Sequence, residues 1–148
     1  MSAKMWGNGY RTTMICVDSY ERSVPVGRFY NEYCPEGIHF YGAIDLIKKI
    51  ETLLDNMSFP QSFSVIRTFA GKPQVDLTGR TNDVPRKGKA ATFSVKVLFR
   101  QNTSWQGSVS WLEGKQEEPF RSVLELLFLI DSAIVSAEYA NEPAAERE

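Results

Sequence analysis

Shifted back by eighty positions, residues 91–134 lie without a gap on residues 11–54. Thr92 falls on Thr12, Gly107 on Gly27, Phe120 on Phe40, Leu126 on Leu46 and Ile130 on Ile50. Most other pairs keep their character: Ile15 with Val95, Val17 with Val97, Ile44 with Leu124, Asp45 with Glu125, Glu51 with Asp131. A chain that carries one pattern twice is most simply folded as one supersecondary unit used twice. That constrains its architecture more than any short motif does.

Within each unit the pattern reads strand, strand, helix. Residues 11–18 and 24–31 are strand candidates; β-branched residues enrich the first, and Ile15 and Val17 share a face. Pro25 belongs at a strand start or a sheet edge, because it has no N–H to give a ladder. Residues 32–37 read as loop and 38–40 as a short third strand. Over 43–57, Ile44, Ile47, Ile50, Leu54 and Met57 fall at helical spacing, with Lys48, Lys49, Glu51 and Asp55 opposite. Residues 61–69 read as a strand from Phe63, Val65 and Ile66. Residues 70–90 read as a long basic excursion with a short strand at 74–78.

In the second unit Phe93, Val95, Val97 and Phe99 alternate with Ser94 and Lys96. Residues 105–112 return as the paired strand, with Trp105, Gly107, Val109 and Trp111 on one face; 113–119 read as loop and 123–139 as the second helix. Ser122 and Glu125 form a capping box at its start, and Gly42 and Asp45 stand at the same positions eighty residues earlier. From Val123 to Ile130 only Glu125 is polar. A helix apolar on nearly every side needs more cover than one sheet provides. The cover is either the first helix or the same helix of a second copy, so a homodimer through the second helix is expected.

The expected fold is α+β, in one domain over 1–148. Two pseudo-symmetric β-hairpin–helix units (ββα repeated) occupy 11–57 and 91–139. A connecting strand and basic loop span 58–90, and a disordered tail spans 141–148. The strands join one antiparallel sheet, with both helices packed on one face.

Charge is unevenly spread. Residues 67–100 carry a net of +6 and residues 113–148 a net of −6, against −1 for the whole chain. A basic middle of this kind suits an anionic partner. No stretch has the length of a membrane span, and the first residues lack the apolar core of a signal peptide. A cytoplasmic protein is expected, with Cys16 and Cys34 as free thiols.

The residues of catalysis are sparse. His39 is the single histidine, and the two cysteines lie eighteen residues apart without metal-ligand spacing. No nucleophile elbow, phosphate loop or dinucleotide fingerprint is present. No enzymatic activity, metal or cofactor is expected. Binding features are richer, since aromatic and basic residues interleave as single-stranded nucleic acid requires.

Two resemblances bear on this. The run from Trp105 to Ile134, with Arg28-Phe29-Tyr30-Asn31 and Phe59-Pro60-Gln61-Ser62-Phe63, resembles an uncharacterised family of short cytoplasmic proteins from gut clostridia and related Firmicutes. That resemblance implies a bacterial accessory protein of the kind carried on mobile elements, and it carries over no functional residues. Trp111, Lys115-Gln116, Phe120, Ser122, Glu125 and Leu129-Ile130 are similar to the last strand and helix of Whirly-type single-stranded DNA-binding proteins, which also repeat a sheet-plus-helix unit. Each unit here reads with two clear strands where that class has four.

Two functions are therefore expected as alternatives. In the first, the protein binds single-stranded DNA or RNA. Arg80, Arg86, Lys87, Lys89, Lys96 and Arg100 contact phosphates, and Tyr20 and Tyr30 stack on bases. In the second, it is a protein-binding accessory or inhibitor acting through Trp105, Trp111 or the apolar second helix.

Overall fold

The computed structural model describes residues 7–71, 75–77, 80–81 and 86–140. Strands β1 (Thr12–Ser19), β2 (Val26–Asn31) and β3 (Cys34–Tyr41) precede helix α1 (Ala43–Met57). The two-residue strand β4 (Arg80–Thr81) follows. Strands β5 (Ala91–Phe99), β6 (Gln106–Trp111) and β7 (Gln116–Phe120) then precede helix α2 (Val123–Ala140). All strands join one antiparallel sheet in the order β4-β3-β2-β1-β5-β6-β7. The protein is thus α+β, and no described helix is long and apolar enough to cross a membrane.

Three long strands run up to each helix, β1–β3 to α1 and β5–β7 to α2, where the sequence suggested two clear ones. β3 runs through Pro35 and Gly37, which read as loop punctuation. β7 occupies part of the segment expected to be loop; four of its five residues are exposed, so it lacks the apolar alternation that marks a half-buried strand. The strand expected at 61–69 is absent. Its pairing is a single parallel bridge from Ser62 to Arg100, and Phe63, Val65, Ile66 and Phe69 are exposed. Of the strand expected at 74–78, only 75–77 are described, and they are not in a strand; the tail expected at 141–148 lies outside the described residues.

The ladders repeat one another at the eighty-residue offset. β1 pairs β2 through Met14–Tyr30, Ile15–Phe29 and Val17–Gly27, with a bulge before Ser19–Val26. β5 pairs β6 through Ser94–Ser110, Val95–Val109 and Val97–Gly107, with a bulge before Phe99–Gln106. Gly27 faces Phe40 on β3, and Gly107 faces Phe120 on β7. The central pair, β1 with β5, sets Met14 opposite Ser94.

One apolar cluster gathers the inward residues of the strands, such as Ile15, Phe29, Phe40, Phe93, Val95 and Phe120, with Leu46, Ile50, Leu53 and Leu54 of α1 and Leu126, Ile130 and Ile134 of α2. The helix starts match in chemistry. The Ser122 hydroxyl accepts from Glu125 N–H, and the Glu125 carboxylate accepts from Arg121 N–H at 2.9 Å. At α1, Gly42 is the cap, and the Asp45 carboxylate accepts from Tyr41 N–H at 2.9 Å. At α2 the Ser122 hydroxyl satisfies a donor that a helix start leaves open, and at both helices the third-position acid holds the residue before the cap.

At both bulges the strands approach too closely for a side chain. A Cβ at Gly27 would overlap the carbonyl oxygen of Cys16, and one at Gly107 that of Lys96. Gly27→Ala and Gly107→Ala should each destabilise the fold by about 1–3 kcal/mol, read as a lowered urea midpoint at unchanged m-value. A neutral result at both positions would show that the bulges are not held by close contact.

Candidate functional site

The ends of β1 and β5 carry the charged groups with the most partners. Arg100 follows β5 directly and is 3% exposed. Its Nη1 donates to Asp55 Oδ1 at 2.7 Å and to Glu51 Oε2 at 3.0 Å, and its Nε donates to the Pro60 carbonyl at 2.6 Å. Trp105 Nε1 donates to the other Glu51 oxygen at 2.7 Å. Arg100 is therefore spent on α1 and the residues just past its end, and it offers a phosphate no surface. Eighty residues earlier stands Tyr20, whose hydroxyl donates to Asp131 of α2 at 2.6 Å. Asp131 is itself eighty residues beyond Glu51. The tie from one strand end to the other half's helix is thus made twice, once by an arginine and once by a tyrosine.

The second stacking candidate is also committed. Tyr30 is 2% exposed, and its hydroxyl accepts from Arg28 Nε at 2.7 Å. Arg86 lies over its ring at 4.6 Å and donates to the Pro35 carbonyl at 2.8 Å. Arg28 pairs with Asp18 at 2.7 Å and reaches the Lys87 carbonyl. The segment 86–90 is thereby laid along β1, where Lys89 N–H donates to Asp18 and Ala90 N–H to the Val17 carbonyl. Sequence reasoning placed Tyr20, Tyr30 and Arg100 on a nucleic-acid surface; the structure gives all three internal partners.

The remaining predicted cations are dispersed. Lys87 and Lys89 are exposed, and Lys96 is half-buried on β5. Lys96 sits opposite Ser108, beside the pair Ser94–Ser110, on the strand faces that alternate with the core residues. Arg80 lies in β4, opposite Ile38.

The two tryptophans separate. Trp105 is 2% exposed and belongs to the core, which corrects its expected place on a binding surface. Trp111 is half-buried, and its Nε1 is shielded without a hydrogen-bond partner. Such a donor costs about 1–3 kcal/mol when left unmet. Trp111 lines a cleft of about 340 Å³ between α2 and strands β5–β7, with Phe93, Val109, Leu129, Ala133 and Ala137 among its walls and Gln116 and Glu118 at β7. Where α2 presents Ala133 and Ala137, α1 eighty residues earlier presents Leu53 and Met57, both buried. The smaller side chains leave the cleft open.

The outer side of α2, the apolar second helix expected as a binding surface, is also exposed. Leu124, Phe128 and Val135 are 64%, 65% and 48% exposed, and Tyr139 is exposed beside them. The corresponding residues of α1 are Ile44, Lys48 and Asp55. Helical periodicity marks α2 as apolar all round, and among the described residues nothing buries this side.

His39 is exposed. Among the described residues, no three of His, Cys, Asp and Glu come together to hold a metal. Both cysteines are buried, and neither is in a disulfide.

Burial, above all, pushes the Cys16 thiol up from 9 to about 11. Burial and the hydrogen bond to Asp131 push the Tyr20 phenol up from 10 to about 12. Both acids hold their protons more tightly in the folded chain, so the stability they contribute is complete below their unfolded values and is lost as pH rises through the folded ones. The urea midpoint should fall between pH 9 and 12, and Tyr20→Phe should flatten the upper part of that fall. An unchanged slope in the variant would mean that Tyr20 is not held by Asp131 in solution.

Compared with known proteins, the chain matches no family model, no curated sequence and no solved structure.

Proposed function

We propose that this chain is a non-enzymatic protein-binding accessory protein, built as two βββα units about a pseudo-twofold axis with both helices on one face of the sheet. The eighty-residue correspondence of ladders, bulges, helix starts and cross-ties supports the two-unit reading. The outer face of α2 carries the functional reading. Exposed Leu124, Phe128 and Val135 form an apolar stripe on a regular helix, a surface that soluble chains keep for a partner.

The first occupant of that stripe is a second copy. Leu124, Phe128, Val135 and Tyr139 follow one another at spacings of 4, 7 and 4 residues, which read the same from either end. Two copies of α2 laid antiparallel would set Leu124 against Tyr139 and Phe128 against Val135, with the small Ser132 near the crossing. The chain should sediment as a dimer. Phe128→Glu should raise its dissociation constant at least tenfold while leaving the circular dichroism unchanged. A wild-type chain that stays monomeric at sub-millimolar concentration would overturn the self-pairing.

A second reading has its own observation. Ser94, Lys96, Ser108 and Ser110 form a polar, half-exposed patch on the sheet, and Arg86 and Lys87 belong to the segment laid along β1. This is a surface for a single-stranded nucleic-acid backbone. An oligonucleotide titration at low salt should then show affinity that Lys96→Glu and Lys87→Glu weaken on every sequence alike. No binding at low salt removes this reading and leaves the first standing.

A further inference from the structure

The two edges of the sheet are finished differently. On the first edge, β3 is covered by β4: Gly37 pairs with Thr81 and Ile38 with Arg80. Leu77, three residues before Arg80, packs half-buried against the apolar cluster. The first edge thus takes a short antiparallel pairing from the protein's own chain. On the second edge, β7 ends the sheet, and no described residue pairs with its outer side. Glu117 and Glu118 stand eighty residues beyond Gly37 and Ile38, with the same partners on the neighbouring strand: Glu118 faces Val109 as Ile38 faces Phe29.

Three independent features equip the β7 edge for an added strand. Its residues are exposed from Gln116 to Pro119, and no described strand pairs with its outer side. The cleft beside it is lined by Gln116, Glu118, Trp111 and Leu129 and has the volume for an apolar side chain. Its charge is acidic, from Glu117 and Glu118 within a region, 113–148, of net −6. An open edge invites an extended partner, and cross-strand charge selects which one. Pro119 withholds one backbone donor, so an added strand would be short, as β4 is on β3.

We infer that β7 is a docking edge for an extended basic segment of another protein. That segment adds antiparallel to Glu117 and Glu118, sets a lysine or arginine opposite Glu118, and places an apolar residue two positions later, opposite Gln116, in the Trp111 cleft. This is strand addition with a side-chain anchor. It uses a surface separate from the outer face of α2 and stands whether or not α2 pairs with a second copy.

The probe is a synthetic peptide with the sequence of residues 75–82, carrying Asp76→Lys and Asn82→Leu, titrated into the isotopically labelled full chain at low salt. Amide resonances of Gln116–Phe120 and the Trp111 indole N–H should shift. Glu118→Lys should weaken binding at least tenfold, and a peptide that also carries Arg80→Glu should restore it to that variant. Absence of shifts at millimolar peptide would overturn the inference. So would shifts confined to Cys34–Tyr41, which would mean that the peptide only replaces Arg80–Thr81 on the first edge. Indifference to Glu118→Lys would also overturn it.

Discussion

The pairing of β1 with β5 sets the position of everything else. Met14 and Ser94, eighty residues apart, lie opposite each other, and the pairs on either side are reciprocal: Thr12 with Lys96, Cys16 with Thr92. The register is held by alternation. Ile15, Val17, Phe93 and Val95 all turn to the same buried side, and a slip of one residue would send all four out of the core. Once that pair is placed, β2 and β6 add outward with matching bulges, and β3 and β7 follow them.

The halves are then tied across the centre. Arg100, at the end of β5, is bound by Glu51 and Asp55 of α1; Tyr20, just past β1, is bound by Asp131 of α2. An arginine with 3% exposure gains little from ion pairing alone, because desolvation offsets the attraction. What makes Arg100 fit is the set of carbonyls it also satisfies. Leu54 belongs to the last turn of α1, where intrahelical donors run out, and Pro60 lies just beyond that turn. One side chain closes a helix end, neutralises two carboxylates and joins the two halves. Tyr20 makes the corresponding tie with a neutral group, so it meets one carboxylate and no helix end.

Both helices and the strands β1, β5 and β6 were legible in the sequence, because each shows a clean period over many residues and the helices carry cap residues. β7 was not, since Gln116-Glu117-Glu118-Pro119 has the composition of a loop and is a strand only because β6 lies beside it. The reverse error was made at 61–69, where strand-forming residues meet no partner beyond one bridge. The site suffered from the same limit. Basic and aromatic residues announce themselves in a sequence, but their neutralising partners do not. Those of Arg100 lie up to 49 residues away and that of Tyr20 lies 111 away. The shared strand face of Trp105 and Trp111 was legible, but not their different depth, which depends on where α1 and α2 cross the sheet.

The eighty-residue correspondence has its sharpest use where it fails. The first half closes its sheet edge with β4, fills its helix–sheet space with Leu53 and Met57, sets Lys48 toward water and holds Asp55 on Arg100. The second half leaves its edge open, has Ala133 and Ala137 beside a cleft, and exposes Phe128 and Val135. Each departure lowers the stability of the isolated chain, whether through unfilled volume, an unmet indole N–H or apolar area left in water. Three such departures on one half, with none at the matching positions of the other, are hard to reconcile with indifferent drift of surface residues. On the proposed reading they divide the labour: the first half is finished and holds the fold, and the second gives up stability to present surface.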